Sequence, residues 1–77
     1  MKPIEQRRED IKNFIIEQLF TKNNKTLTEF DIKNKIPCYR LNIEIVVIMI
    51  NDSEEYPEII LSYDNNMKIV LKLSVVP

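Results

Sequence analysis

Residues 43–50, Ile-Glu-Ile-Val-Val-Ile-Met-Ile, constrain this chain more than any other stretch: seven of the eight are apolar and six are Ile or Val. The 77 residues make a single domain, 1–77. A domain of that size buries only about 60–65% of its unfolded surface, so it has little material to cover both sides of such a segment. The excess apolar surface points to a partner, either another protein or a second copy of the chain.

The run itself has two readings. As a strand, its β-branched density suits a central position buried on both faces. The fold is then two helices packed on a three-stranded antiparallel sheet (ααβββ). As a helix, Asn42 caps it, Leu41 and Val46 form a staple across the cap, and Ile43, Val46, Val47 and Ile50 make the inward stripe. The surplus survives in either case. A helix turns Ile45, Ile48 and Met49 outward, whereas a strand leaves Val46, Ile48 and Ile50 on the face away from the helices. The candidate protein interface is therefore Ile45, Ile48, Met49 and Ile50.

The flanking segments read more simply. Ile11, Phe14, Ile15 and Leu19 recur at helical spacing, and Ile16 and Phe20 widen that stripe, which gives a first helix from Pro3 or Ile4 to Phe20. Lys22-Asn23-Asn24-Lys25 ends it. Thr28 is the N-cap of a second, two-turn helix, with its hydroxyl facing the Asp31 amide and with Leu27 and Ile32 as a hydrophobic staple. Phe30 adds an apolar contact, Ile36 extends the Ile32 face, and Pro37 stops the helix.

The last third alternates as a hairpin: Ile59, Leu61 and Tyr63, then Met67, Ile69, Leu71, Leu73 and Val75. A three-residue Asp64-Asn65-Asn66 loop pairs Tyr63 with Met67, Leu61 with Ile69 and Ile59 with Leu71. That register keeps the large apolar side chains on one face and sends Lys68 and Lys72 to solvent.

Helix, polar link, capped short helix, proline break, third helix and closing hairpin is an order that resembles the winged-helix superfamily over residues 4–74. Ile11/Ile15/Leu19, Leu27-Thr28…Ile32…Ile36, Ile43…Val47…Ile50 and Ile59–Leu73 carry the resemblance. It implies an α+β fold of three helices followed by a β-hairpin wing, and a DNA-binding role through the third helix. The outward face of that helix departs from such a role. Ile45, Ile48, Met49 and Glu44 stand where Arg, Lys, Asn or Gln would meet base edges, and only Arg40 is near. The wing tip Asp64-Asn65-Asn66 is not basic either. The chain is closer to members that use the fold for protein contacts inside transcription or replication assemblies.

Composition removes other classes. Without His and with one Cys, zinc and transition-metal sites built on those ligands are excluded, as is nucleophilic catalysis resting on His. Without Gly there is no Gly-rich phosphate loop and no dinucleotide fingerprint. Nothing in the spacing singles out a carboxylate pair, so no enzyme, no cofactor and no catalytic residue is expected. Asn51-Asp52-Ser53-Glu54-Glu55 reads as a solvated acidic loop and not as a calcium site.

Cys38 has no neighbour beyond Arg40 to activate it and reads as a half-buried, inert thiol. A lone cysteine, no span of about 20 apolar residues and no hydrophobic signal region in Met1–Glu5 together suggest a cytoplasmic protein that contacts no membrane. Thirteen Ile, eight Lys and eight Asn suggest an AT-rich coding sequence, such as that of a virus or plasmid.

The formal net charge of −1 conceals an asymmetry, +3 over residues 1–40 and −4 over residues 41–77. Arg7, Arg8 and Lys12, with Lys2 nearby, are offset by Glu5, Glu9 and Asp10. Lys33, Lys35 and Arg40 have no acid between residues 32 and 43, and are the candidate nucleic-acid contacts. Tyr39, Tyr56 and Tyr63 serve either as interface anchors or in packing. The favoured function is a non-enzymatic interaction module, forming a homodimer or docking on a larger protein. The alternatives are a small DNA-binding regulator, and a virus- or plasmid-encoded inhibitor of a host protein.

Overall fold

A computed structural model describes residues 3–74. The architecture is α+β, with three helices and a three-stranded antiparallel sheet. In chain order the elements are α1 (Ile4–Ile16), a π-helical extension (Glu17–Thr21), β1 (Leu27–Thr28), α2 (Glu29–Lys35), α3 (Arg40–Ser53), β2 (Ile59–Tyr63) and β3 (Ile69–Leu73). The helices precede the closing hairpin, and the sheet order is β1-β3-β2. Residues 43–50 lie within α3, and the sheet's third strand is Leu27–Thr28 instead. The expectations for Lys2 and Val75 fall outside the described residues.

The helical periodicities fill one core. Ile11, Ile15 and Leu19 from the first helix meet Ile32 of α2, then Ile43, Val46, Val47 and Ile50 of α3, with Leu27, Ile59, Ile69 and Leu71 from the sheet. All twelve are buried. Phe14, Ile16 and Phe20 pack around this cluster. In the π-helical turn the Lys22 amide reaches back to the Glu17 carbonyl at 2.8 Å. Phe20 then stacks on Tyr56 with ring centroids 5.1 Å apart, which accounts for Tyr56 as a packing residue.

Thr28 caps α2 as its sequence implies. Its hydroxyl accepts the Asp31 amide at 3.2 Å, and the Asp31 carboxylate accepts the Thr28 amide at 3.1 Å. Two expectations fail here. Phe30 is 71% exposed and makes no core contact, because one residue after Glu29 on a two-turn helix it points away from the buried Ile32 stripe. Asn42 does not cap α3. That helix starts at Arg40 with Tyr39 as N-cap and no side-chain cap bond, and Leu41 is 63% exposed, so it staples nothing.

The hairpin register is two residues from the one expected: Tyr63 pairs with Ile69, Leu61 with Leu71 and Ile59 with Leu73. An even slip keeps the apolar residues on the same face, so the core is unaffected. Its cause is the turn. The Asp64 carboxylate accepts the Asn66 and Lys68 amides at 2.8 and 3.0 Å, and Met67 takes a left-handed conformation at φ 64°. Met67 thus belongs to the turn, 66% exposed, and not to the strand. With no Gly in the chain, the left-handed positions among the described residues go to Asn23, Glu54 and Met67.

Helix side chains extend the sheet at both edges. On the β1 side, β3 offers the Ile69 amide where β1 has already ended, and the Glu29 carboxylate accepts it at 3.1 Å. On the β2 side, Asn51 of α3 donates to the Ile59 carbonyl at 3.0 Å and accepts the Ile59 amide at 2.8 Å. It thereby satisfies one residue's backbone as a neighbouring strand would.

Candidate functional site: the outer face of the third helix

A 14-residue helix with buried positions at 43, 46, 47 and 50 presents 41, 45, 48 and 52 on the opposite side. Three of those four are apolar. Leu41 is 63% exposed, Ile48 55% and the flanking Met49 51%, while Ile45 is half-buried. The first helix does not reach over this ridge. Its charged side, Glu5, Arg8, Glu9 and Lys12, lines a shallow cleft with Met49 along one flank.

On the other flank Glu44 accepts a hydrogen bond from the Tyr63 hydroxyl at 2.5 Å. That bond, with burial and the Glu44 charge in addition, pushes the phenol above its ordinary range. Tyr63 therefore braces β2 against α3, and Tyr39, 77% exposed, is the tyrosine left free for a contact. Of the expected interface residues, Ile45, Ile48 and Met49 lie on this ridge. Ile50 does not: it is 1% exposed and part of the core, because the helical period carries it to the inward side.

The candidate nucleic-acid contacts differ in their surroundings, two of them pairing with a buried acid. Glu29, with its side chain 4% exposed, holds Lys33 Nζ at 2.8 Å and Arg40 Nε at 3.1 Å. Lys35, two residues on from Lys33 around α2, lines a different cleft with Arg7, Asp10, Ile36 and Pro37. Burial alone would push the Glu29 carboxyl up. The hydrogen bonds from Lys33 and the Ile69 amide, the Lys33 charge and the Arg40 hydrogen bond outweigh it and hold the group down at about 2.

Two of the three cations are thus committed to an internal acid. Glu29 escapes a sequence reading because it lies outside the acid-free stretch, which begins after Asp31, although Lys33 stands four residues on and so shares its helix face. Asn51, which reads as part of the following acidic loop, lies inside α3. Burial pushes the Cys38 thiol up, and nearby Lys33 and Arg7 only partly oppose this, so the thiolate is disfavoured.

No helix among the described residues is long and apolar enough to cross a membrane. A comparison with known proteins finds no matching family model, no matching curated protein and no matching solved structure.

Proposed function

We propose that this chain is a non-enzymatic protein-interaction module of winged-helix type whose contact surface is the outer face of α3. The observation that supports the reading is the ridge of Leu41, Ile45, Ile48 and Met49, solvent-facing on a helix whose opposite stripe fills the core. Apolar side chains clustered on one helix face gain by burial against a partner, about 25 cal/mol for each Å² removed from water. Three helices followed by a hairpin support the winged-helix reading, and by that resemblance the setting is a transcription- or replication-type assembly.

The regulator reading has less support. The α3 face carries Glu44 and Asp52 beside its apolar residues, and Lys33 and Arg40 answer Glu29. A duplex reader needs cations free to neutralise phosphates.

A photo-cross-linking side chain placed at Ile48, with exposed Asn34 on α2 as the control position, tests the assignment in cells that express the protein. Protein adducts from position 48 and none from 34 are expected. Adducts to nucleic acid alone, or none, would overturn it. Titration of the purified chain with duplex DNA should show no binding whose affinity falls steeply with salt.

A further inference from the structure

Strand β2 forms one edge of the sheet. Its even-numbered neighbours face β3: the Glu58 carbonyl accepts the Ser74 amide and the Asp64 amide donates to the Lys68 carbonyl, on the ladder that pairs Ile60 with Lys72 and Ser62 with Val70. The odd residues therefore turn their N–H and C=O groups outward. Asn51 satisfies both groups of Ile59. The next two, Leu61 and Tyr63, have no partner for theirs among the described residues. Natural sheets guard such edges with charge, proline or a bulge, and Ile59-Ile60-Leu61-Ser62-Tyr63 contains neither charge nor proline.

A helix residue stands over the open part. Glu44, Ile48 and Asn51 follow one another at i, i+4 and i+7 on one face of α3. Glu44 and Asn51 are both bonded to β2, so Ile48, between them and 55% exposed, overhangs the edge.

We propose that a second copy of the chain pairs antiparallel with this edge, β2 against β2, about a two-fold axis through Ser62. The inference rests on the interaction-module reading and names its partner. The register is what selects a second copy. With the axis at Ser62, Leu61 of each protomer exchanges both backbone hydrogen bonds with Tyr63 of the other, and all the open groups are satisfied. With the axis at Leu61, Tyr63 would compete for Ile59, which Asn51 already holds. With the axis at Tyr63, Leu61 would face residue 65, beyond the strand end. At Ser62, Glu58 falls opposite Asn66 and Asp64 opposite Ile60, so no like charges meet across the pair. A net charge of −1 adds little repulsion between copies. The pairing joins two sheets into one of six strands.

Ser62 faces its own copy in a non-hydrogen-bonded pair, where Cα atoms approach to about 4.5 Å, within reach of a disulfide. In a Cys38→Ser background, mild oxidation should convert most of a Ser62→Cys chain to covalent dimer, while Asn65→Cys in the turn stays largely monomeric. Ser62→Lys sets like charges face to face and should weaken the dimer at least about tenfold, with the far-ultraviolet circular dichroism of the wild type showing that the fold persists.

Cross-linking of Ser62→Cys no better than Asn65→Cys overturns the strand pairing. If Ile48→Asp still dissociates a dimer in that case, the α3 face remains the contact and only its geometry is different. Efficient Ser62→Cys cross-linking that Ile48→Asp leaves untouched upholds the strand pairing and removes the α3 face from it. A chain that stays monomeric at every concentration overturns self-pairing and leaves the edge to a strand from another protein.

Discussion

The Glu29 carboxylate stays ionised against burial because Lys33, Arg40 and the Ile69 amide all donate to it. Its folded pKa of about 2 lies below its ordinary 4.5, so between these values the unfolded chain binds the extra proton. Its contribution to stability is complete above pH 4.5 and is lost as pH falls toward 2. Acid titration of the unfolding free energy should show that loss, and Glu29→Gln should flatten the profile in this window while lowering neutral-pH stability by about 2 kcal/mol. Met67 makes the opposite case. It sits exposed at φ 64°, a conformation that disfavours any side chain with a Cβ. Met67→Gly should therefore raise stability by about 0.5–1 kcal/mol in denaturant titrations.

Among the elements, what the sequence made legible was whatever repeats. The stripes Ile11/Ile15/Leu19 and Ile43/Val46/Val47/Ile50, the Thr28 cap and the parity of the hairpin could all be read because periodicity and capping chemistry are local. What could not be read depends on contacts distant in the chain. The helical state of residues 40–53 contradicts β-branched propensity, because α3 buries one stripe against α1 and the sheet and tertiary packing overrides a weak local preference. The hairpin register turned on an Asp64 side chain accepting two amides, which periodicity does not report. Asn51 reads as a loop residue in the sequence, yet it ties the end of α3 to β2 through both backbone groups of Ile59. Asn51→Ala should cost about 1–3 kcal/mol. It should also speed hydrogen exchange at the Ile59 amide far more than at Leu71 in the sheet's centre.

For the whole molecule, the candidate surface was legible in part. Ile45, Ile48 and Met49 followed from helical period once the core stripe was assigned, whereas Ile50 came from the strand alternative and belongs to the core. Two of the three cations read as a basic patch, Lys33 and Arg40, are answered by Glu29, which lies next to them in space and just outside the patch in sequence. The resulting molecule has a filled core and a cation pair held by an internal acid. The apolar ridge of α3 lies beside a sheet edge on which Asn51 satisfies Ile59 while Leu61 and Tyr63 stay open among the described residues. These features converge on Ile48, which overhangs the edge and lies on the ridge. Because Ile48 is 55% exposed, Ile48→Asp should leave the unfolding free energy of the single chain within about 0.5 kcal/mol of wild type.

The most direct test is the solution mass of the wild type and of Ile48→Asp across a wide concentration range. The wild type should rise from the 9.2 kDa of one chain to twice that mass and stop there, while Ile48→Asp stays at one chain and unfolds as the wild type does at concentrations where both are single chains. A wild type that remains a single chain at every concentration, or an Ile48→Asp variant that associates as the wild type does, would contradict the account.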